Sequence, residues 1–551
     1  MQPPIKNKRP LTNICCVGAG YVGGPSAAVI ASKAPHLKVT VVDVDARRIE
    51  AWNSDNLPVY EPGLWDLVKP ARDGTPDRPA NLFFSTNIEQ KVREADIVFI
   101  GVNTPTKKTG LGAGKASDLG WLEAATRRVA QAAEKDTIIV EKSTVPCGTA
   151  NSMREILMAN AQPGVHFEVL SNPEFLAEGT AIKNLLNPDR ILVGCLETQS
   201  GYIASAGLVD IYANWVPRER IITMNLWSSE LSKLAANAML AQRISSINAL
   251  SSICEAVSAN VQDVAYAVGL DSRIGPKMMN ASVGFGGSCF KKDILNLVYI
   301  SESLNLPEVA AYWQAVVSVN EYQKNRFVRG IVKSMHNNLV GKKLAILGFA
   351  YKKDTGDTRE SAAIDVVNSL LAENATIHIF DPQVRPEQIM SDLHLTMDDD
   401  RVTICDDPYI ACQDAHGVVI LTEWDMFTTK KPIIRAGAAK KAEAIVQVAE
   451  IIDTPTEEKE IILDAPAVAD VTVDTATTTT TTLITPPVSP PRDARDAEPK
   501  TPKHEKIDWS RVASLMDRPK YVFDGRNTID VAQLESLGFK VSSIGVSSRT
   551  L

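Results

Sequence analysis

Short apolar runs alternate with helix-length segments in the first part of the chain. The runs at 14–17, 39–42, 97–100, 137–140 and 167–170 are rich in β-branched residues. Small residues at 26–32 follow the first run and suit a closely packed helix. Continuous apolar strands separated by helices are typical of a parallel sheet that is covered on both faces. The pattern therefore predicts an α/β domain with a doubly wound parallel sheet.

The pattern changes after this domain and then returns. Residues 228–269 are rich in alanine, leucine and serine and contain no proline, which predicts one long buried central helix. An apolar run ending in glycine follows at 342–348, then a helix at 361–371 and a strand at 376–380. Further runs predict strands at 418–421 and, as the last strand, at 521–524. A second α/β domain is expected here.

The tract at 428–506 differs from both domains in composition. It contains no aromatic residue, and six threonines run from Thr477 to Thr482 before a proline-rich segment. Such a composition cannot bury enough apolar area to offset the entropy lost on ordering. We expect a mostly disordered low-complexity insertion, with a transient solvated helix at 436–452. An inert linker is favoured over a regulatory segment.

Composition and charge restrict the class of protein. The chain has 551 residues, 44% hydrophobic and 23% charged, which fits several globular domains. A net charge of −8 provides no general attraction for nucleic acid or an anionic membrane, so neither is expected as a partner. The start is polar and lacks an apolar signal segment. The eight cysteines include no CxxC pair, so we expect no metal site, no disulfide scaffold and a cytoplasmic location.

A glycine motif follows the first predicted strand and opens the first helix. Gly18 permits a tight turn, Gly20 lets the backbone approach a pyrophosphate, and Gly23 lets the helix pack against the strand. The helix N-terminus favours phosphate charge. Asp43 ends the next strand, where it can accept hydrogen bonds from a ribose and repel a 2′-phosphate. The context predicts binding of NAD rather than NADP.

A second glycine-rich segment, GFGGSCFKKD at 284–293, contains Cys289. Three glycines make an open loop, and Cys289 precedes a predicted helix at 294–300. A helix N-terminus and nearby lysines lower the pKa of a thiol, so a nucleophilic thiolate is predicted, with a buried packing cysteine as the alternative. Asp293 lies one helical turn further on, on the same face.

Two more polar sets are candidates for chemistry. Lys233 and Asn237 have i,i+4 spacing on a helix of small residues, where they could hydrogen-bond an oxyanion; helix capping and solvated polarity are the alternatives. Glu174 and Glu178 lie in a loop after the strand at 167–170. Loops at the carboxyl ends of parallel strands are where such folds bind ligands.

Nine segments along the chain together carry a family resemblance. They are GAGYVGGP, VNTPT, EKSTVP, SNPEFLAEGTA, WSSELSKLAANA, GFGGSCF, GFAYKKDTGDTRES, TEWDMF and FDGR, in this order. The set closely resembles the UDP-glucose/GDP-mannose dehydrogenase family, in its branch of animal and fungal UDP-glucose 6-dehydrogenases. The resemblance implies two Rossmann-like doubly wound parallel-sheet domains joined by a long central helix, with the insertion in the second domain. It also implies NAD-dependent, four-electron oxidation of UDP-glucose to UDP-glucuronate through a cysteine thiohemiacetal and thioester.

The resemblance also implies a division of the chain. The expected regions are a tail at 1–10, an NAD-binding domain at 11–225, a central helical dimerisation domain at 226–335, a UDP-sugar-binding domain at 336–427 and 507–545, the insertion at 428–506, and a tail at 546–551. An arginine matching Arg273 reaches into the neighbouring subunit's site in this family. We therefore expect a homo-oligomer, at least a dimer, with a hexamer as the larger alternative.

Residue roles are carried over from the family's motifs. Cys289 would carry the covalent intermediates, and Lys233, Asn237, Asp293, Thr144 and Glu174 would transfer protons, stabilise the oxyanion and position water. Whether a lysine or an aspartate-bound water takes the first proton stays open. Cofactor contacts are implied for Gly18, Ala19, Gly20, Tyr21, Val22, Gly23, Asp43, Arg48, Val102, Asn103, Thr104, Pro105, Thr106, Ser143, Glu178 and Arg359. Substrate contacts are implied for Glu174, Phe175, Leu176, Ala177, Glu178, Lys233, Asn237, Arg273, Gly284, Phe285, Gly286, Gly287, Tyr351, Lys352 and Arg526.

Two other functions compete with this interpretation. A related dehydrogenase acting on GDP-mannose or a UDP-N-acetylhexosamine would share the fold and the cysteine, because sugar selectivity depends on pocket shape. A catalytically silent NAD-sensing scaffold would share the fold alone. The presence of every polar position of the motif set favours an enzyme over the scaffold.

Overall fold

The computed structural model describes residues 11–430 and 505–546. The described residues up to Thr429 and from Lys506 onwards belong to one compact unit. Nearly all of the expected insertion, including the helix expected at 436–452, lies outside the described residues. So do the tail at 1–10 and most of the tail at 546–551.

The first sheet has eight strands in the order β3-β2-β1-β4-β5-β6-β7-β8. The strands are β1 Asn13–Val17, β2 Lys38–Val42, β3 Leu82–Ser85, β4 Ile97–Ile100, β5 Thr137–Glu141, β6 Phe167–Ser171, β7 Ile191–Cys195 and β8 Ile221–Asn225. Neighbours pair in parallel except β6 and β7, which share one antiparallel pairing of Ser171 with Gly194. The predicted parallel sheet is confirmed. Its strand order reverses between β1 and β4, where their carboxyl ends open a crevice.

Helices cover both faces of this sheet. They are α1 Gly23–Lys33, α2 Ala46–Asn53, α3 Leu64–Asp73, α4 Ile88–Glu94, α5 Gly120–Ala132, α6 Thr149–Asn160, α7 Ala181–Leu186 and α8 Gln199–Tyr212. Successive side chains of β1 enter opposite cores: Ile14 and Cys16 pack on one face, and Cys15 and Val17 on the other. Cys15 and Cys16 are therefore packing residues.

The single helix expected at 228–269 is wrong, because the structure has two helices there. The central helices are α9 Leu226–Ala256, α10 Val261–Gly269, α11 Phe290–Ser303 and α12 Pro307–Ser334. Ser258 has a φ of 57°, a left-handed conformation that cannot continue an α-helix. Asn260 then caps α10 by accepting a hydrogen bond from the Gln262 N–H at 2.8 Å. No helix in the described ranges is long and apolar enough to cross a membrane.

The second sheet has six parallel strands in the order β11-β10-β9-β12-β13-β14. The strands are β9 Lys343–Leu347, β10 Thr376–Phe380, β11 Val402–Ile404, β12 Gly417–Ile420, β13 Lys520–Asp524 and β14 Phe539–Ser543. The helices of this domain are α13 Ala362–Ala372, α14 Pro386–Asp392, α15 Pro408–Cys412, α16 Trp509–Leu515 and α17 Val531–Ser536. The second α/β domain is confirmed. The expectation that the run at 521–524 is the last strand is wrong, since β14 follows it as a partly exposed edge strand with little apolar signal.

Candidate active site

The glycine turn after β1 forms an open cradle at the crevice. Gly18 has a φ of +105°, and a Cβ there would lie 2.5 Å from the Gly101 carbonyl oxygen. A Cβ at Gly23 would lie 1.9 Å from the Gly18 oxygen, so close packing requires both glycines. A Cβ at Gly20 would meet nothing within 4 Å. The open side at Gly20 fits the approach of a pyrophosphate, as expected of a dinucleotide site.

Asp43 is held beside this cradle by three donors. Its Oδ2 accepts from the Ala19 N–H at 2.8 Å and from Arg48 Nη1 at 3.1 Å, and its Oδ1 accepts from the Asp45 N–H at 3.0 Å. A carboxylate has about four acceptor positions, so these bonds leave capacity for a ribose hydroxyl. The residues present fit an NAD-type dinucleotide.

We expect Asp43→Ala to weaken NAD binding by about 10- to 100-fold, the loss of a charge-assisted hydrogen bond. The same change removes the charge that repels a 2′-phosphate, so discrimination against NADP should fall. Fluorescence titrations with both cofactors measure the two effects. The matched control is Asp55→Ala, whose carboxylate is 79% exposed. Unchanged dissociation constants for Asp43→Ala would remove Asp43 from the cofactor site.

The loops after β4 and β5 are tied together beside the cradle. The Ser143 hydroxyl donates to the Val102 carbonyl at 2.8 Å, and the Thr104 hydroxyl donates to the Thr144 carbonyl at 2.7 Å. Lys292, in the first turn of α11, donates to the Thr104 carbonyl at 3.2 Å. Asn103 and Pro105 are exposed on this loop. Sequence reasoning did not single out Lys292, which joins the cofactor loop to the cysteine helix.

Cys289 occupies the N-cap position of α11 and is partly buried. Its Sγ lies 3.5 Å from the Ser288 hydroxyl oxygen. Burial raises the pKa of the Cys289 thiol above its ordinary value; the charge of Lys233 lowers it, whereas Asp293 and Glu178 raise it further. The predicted lowering of this pKa is therefore wrong, because burial and two carboxylates outweigh the lysine and the helix end. The thiol needs a nearby base, or a bound substrate that changes its surroundings, to react.

We therefore expect alkylation of Cys289 by iodoacetamide to be slow at neutral pH and to accelerate up to and beyond pH 9. Only the thiolate reacts, and its fraction rises with pH until the raised pKa is reached. Mass spectrometry of peptides at several pH values measures the rate. Free cysteine under the same conditions is the reference, and a Cys289 rate that levels off below the reference pKa would contradict the raised pKa.

The structure brings Lys233, Asn237 and Asp293 together beside the cysteine. Asn237 Nδ2 donates to Asp293 Oδ2 at 2.6 Å, and Lys233 is 5% exposed. Burial raises the pKa of Asp293, and the charges of Lys292 and Lys233 offset this only in part. Within the described ranges, Asp293 Oδ1 has no hydrogen-bond partner. A buried carboxylate with a free acceptor, next to an amide and an ammonium group, can hold a water or a substrate hydroxyl.

The loop after β6 presents its two acids to different neighbours. Glu174 Oε2 lies 2.8 Å from Lys142 Nζ, and its Oε1 accepts from the Phe175 N–H at 2.8 Å. Glu178 Oε2 accepts from the Tyr351 hydroxyl at 2.6 Å. Sequence reasoning missed Lys142, although the EKSTVP segment contains it. A lysine directly after a buried strand was the available signal.

The other predicted residues of the loop after β6, at 175–177, contact neighbouring residues of the first domain and the central helix. The centroid of the Phe175 ring lies 3.9 Å from the Arg190 guanidinium carbon and 5.0 Å from Lys233 Nζ. Leu176 packs against the first core, and the Ala177 N–H donates to Asn184 at 3.1 Å. Such contacts stabilise the loop around the polar cluster.

The second domain closes the cleft with Arg526. Its Nε donates to the Leu421 carbonyl at 2.7 Å, and its other nitrogens donate to the Tyr351 carbonyl at 3.0 Å and the Gly284 carbonyl at 3.4 Å. A Cβ at Gly287 would lie 2.9 Å from the Tyr351 ring. The glycine loop is thus needed for close contact between the cysteine segment and the second domain.

Other predicted substrate and cofactor residues lie near this closure, with one exception. Lys352 Nζ lies 5.4 Å from the centroid of the Tyr351 ring, and Arg359 lies 3.6 Å from Glu178. The Phe285 N–H donates to Asn320 at 2.9 Å, and the Tyr21 hydroxyl accepts from the Gly179 N–H at 3.4 Å. The exception is Arg273, which is 87% exposed and forms its ion pair with Asp271, outside the predicted set. Across the described ranges, no three His, Cys, Asp or Glu residues form a group that could hold a metal ion.

The fold and the cleft define a dinucleotide-dependent dehydrogenase with a cysteine at its centre. Three family models match the chain, all of the UDP-glucose/GDP-mannose dehydrogenase family: its NAD binding domain at residues 12–216, its central domain at 227–322 and its UDP binding domain at 345–454. The chain belongs to the UDP-glucose/GDP-mannose dehydrogenase family, and its first domain binds NAD.

Individual proteins agree with the family match. The chain is 50% identical over 550 residues to UDP-glucose 6-dehydrogenase 3 of Arabidopsis thaliana and 49% identical to UDP-glucose 6-dehydrogenase 1 of Glycine max, with 97% of each chain covered. These are plant proteins, so the likeness is not confined to the animal and fungal type. A solved UDP-glucose dehydrogenase from Pyrobaculum islandicum has 32% identity and a TM-score of 0.68, covering 76% of this chain and 92% of that one.

Proposed function

We propose that this chain oxidises UDP-glucose to UDP-glucuronate with NAD as the hydride acceptor. The convergence of Cys289, Lys233, Asn237 and Asp293 between the glycine cradle and Arg526 carries the proposal. A thiol beside an ammonium group, an amide and a carboxylate supplies what conversion of an alcohol to an acid requires. The relatives named above, which bear this activity in their names, support it.

The proposal assigns binding roles to the two ends of the cleft. NAD bound at residues 18–23, Asp43, Arg48, 102–106, Ser143 and Arg359 would supply the hydride acceptor for both oxidations. Arg526 and Lys352 would bind the diphosphate of the substrate, because guanidinium and ammonium groups match phosphate charge. We also propose domain boundaries at 226 and 336, where the central helices separate the two sheets.

The chain's own side chains account for the covalent steps. The Cys289 thiolate would attack the C6 carbonyl of the aldehyde, and Lys233 and Asn237 would donate hydrogen bonds to the resulting oxyanion. Removal of the remaining C6 hydride, for which NAD would be the acceptor, would convert this thiohemiacetal into a thioester on the sulfur. Water would then attack the thioester and the thiol would leave. Glu174 and Thr144 would hold that water. The first proton goes either to Lys233 or to a water on Asp293.

A substrate panel tests the proposal. Purified protein is supplied with NAD and UDP-glucose, GDP-mannose or a UDP-N-acetylhexosamine, and NADH and the acid product are measured. We expect two NADH for each UDP-glucuronate and turnover at least 10-fold lower with the other sugars. Preferred oxidation of another sugar would identify a related dehydrogenase instead. No turnover with any sugar would favour the scaffold.

We further propose a homo-oligomer, at least a dimer, with a hexamer as the larger alternative, in which Arg273 completes a neighbouring site. Its guanidinium is 87% exposed and pairs with Asp271, two residues away, which leaves it open to a neighbouring subunit and supports this arrangement. Mixing inactive Arg273→Ala and Cys289→Ser proteins should restore activity if Arg273 acts across subunits, and light scattering gives the mass.

A cytoplasmic location is also proposed, since all eight cysteines are free thiols. Cell fractionation tests it.

Deleting residues 455–503 should leave turnover of UDP-glucose within about twofold of the full chain. The ordered chain on both sides is anchored independently of this tract: the Ile507 N–H donates to the Met426 carbonyl at 3.0 Å, and the Thr429 N–H donates to the Thr528 carbonyl at 3.2 Å. Loop-closure entropy changes slowly with loop length. Activity and mass of the two proteins are measured side by side. A large loss of turnover in a folded deletion variant would make the tract part of the enzyme.

A further inference from the structure

A closed cluster of buried polar side chains lies behind Glu174. Lys142 is 3% exposed, Asn172 is 0% exposed and Tyr212 is 4% exposed. Lys142 Nζ donates to Asn172 Oδ1 at 3.0 Å and to the Tyr212 hydroxyl at 3.1 Å, and it lies 2.8 Å from Glu174 Oε2. These three partners use all three donors of the ammonium group.

We propose that Lys142 is a positioning residue that, held by Asn172 and Tyr212, keeps the Glu174 carboxylate ionised and fixed in the cleft. The inference rests on the proposed function, because it concerns the water that hydrolyses the thioester. Lys142 does not touch the reacting atoms and acts through Glu174.

Lys142 is held by residues at the ends of regular elements. Lys142 follows β5 and Asn172 follows β6, and the Asn172 Nδ2 donates to the Leu192 carbonyl in β7 at 2.7 Å. The Tyr212 hydroxyl, at the end of α8, donates to Asn172 Oδ1 at 2.6 Å. Three strands and one helix thus place the ammonium group, whereas Glu174 lies on a loop. Side chains on sheet ends fix geometry better than loop residues do.

The charges around Glu174 favour its ionised form. Burial raises the pKa of Glu174, but the charge and hydrogen bond of Lys142, the Phe175 N–H and Lys233 lower it below the ordinary value. Lys142 and Lys233 are the charged groups that face it, and Tyr212 is the titratable neighbour. The buried thiol of Cys16 is also within reach of the Lys142 charge, which lowers its pKa while burial raises it. Two of about four acceptor positions on the carboxylate are used, which leaves room to bind water.

The test is the pH profile of Lys142→Met. Without the lysine, burial dominates, and the pKa of Glu174 should rise above its ordinary value. A carboxylate needed in its ionised form loses function as pH falls through its pKa. The variant should therefore gain an acid limb in UDP-glucuronate formation between about pH 5 and 8, where Glu174 of the natural protein stays ionised. The variant-to-natural rate ratio at each pH isolates this effect, and it should rise at least 10-fold across that range.

Two further variants decide between positioning and a purely structural role. In the Glu174→Gln background, Lys142→Met should reduce the rate by less than twofold, since the lysine then has no carboxylate to act on. Asn172→Asp keeps the lysine but adds a competing carboxylate of the same shape, so it should also move the acid limb upward. Thermal unfolding and NAD titration show whether Lys142→Met folds. If it does not fold, Asn172→Asp alone tests the proposal.

Two results would overturn the role of Lys142. One is a ratio of Lys142→Met rate to natural rate that does not change with pH. The other is a rate loss in the Lys142→Met, Glu174→Gln double variant equal to the product of the two single losses. Failure of the natural protein to form UDP-glucuronate would instead overturn the proposed function. The two failures are therefore distinguishable.

Discussion

Cys289→Ser should reduce UDP-glucuronate formation roughly 10³- to 10⁶-fold, the range seen when an enzyme loses its nucleophile. A serine hydroxyl stays protonated near neutral pH, and the hydrogen-bond neighbour of the Cys289 sulfur within the described ranges is the Ser288 hydroxyl, which is not a base. Thioester formation should fail, so NADH should not exceed one for each UDP-glucose. Quenched-flow measurement of NADH and chromatography of the acid product check both statements.

Binding should survive this change, because serine is smaller than cysteine and keeps the N-cap position of α11. Dissociation constants for NAD and UDP-glucose should stay within about threefold. Cys147→Ser is the matched control, since Cys147 is also a partly buried free thiol but belongs to none of the predicted contacts. Acid formation at the natural rate in Cys289→Ser would sink the covalent mechanism.

Lys233→Met should lower kcat about 10²- to 10⁴-fold, the usual contribution of a positioned proton-transfer group. The lysine charge reaches both Cys289 and Asp293, lowering the pKa of each. Its loss should therefore raise both pKa values further, so the remaining activity should increase towards high pH as the thiol ionises. Steady-state kinetics from about pH 6 to 10 give the magnitude and the direction.

The methionine keeps the length of the lysine stem, so packing against the Phe175 ring should survive. Affinity for NAD is the control measurement and should stay unchanged. Lys135→Met serves as the matched lysine variant, because Lys135 pairs with Asp96 at the far end of the first sheet. A kcat within threefold of the natural value in Lys233→Met would exclude Lys233 from proton transfer and from oxyanion stabilisation.

The local sequence pattern was sufficient to predict the bounds of a strand where its apolar residues are also its buried residues. The bounds expected for strands at 97–100 and 376–380 are those observed for β4 and β10. The first is a continuous apolar run that is buried throughout, and the second alternates, with Ile377 and Ile379 buried between the partly buried Thr376 and His378. Both patterns are strong signals for a strand. The helix break after Ala256 has no proline or glycine. It lies at the left-handed Ser258, and the following Val261 N–H donates to the carbonyl of Gly545, far along the chain, at 2.9 Å. The edge strand β14 is partly polar, so its sequence carries little strand signal. Its pairing with β13 is what makes it a strand.

The sequence by itself determined the class of fold, the dinucleotide turn, the cysteine and the family. These properties depend on spacing within short segments, which the chain carries wherever it folds. Only the tertiary structure decided the ionisation of the site: the raised pKa of Cys289 and the lowered pKa of Glu174 arise from burial and from charges on distant segments. It also decided that Lys142 is paired with Glu174. Electrostatic free energies depend on distance in space and on solvent exposure, and neither can be calculated from sequence spacing.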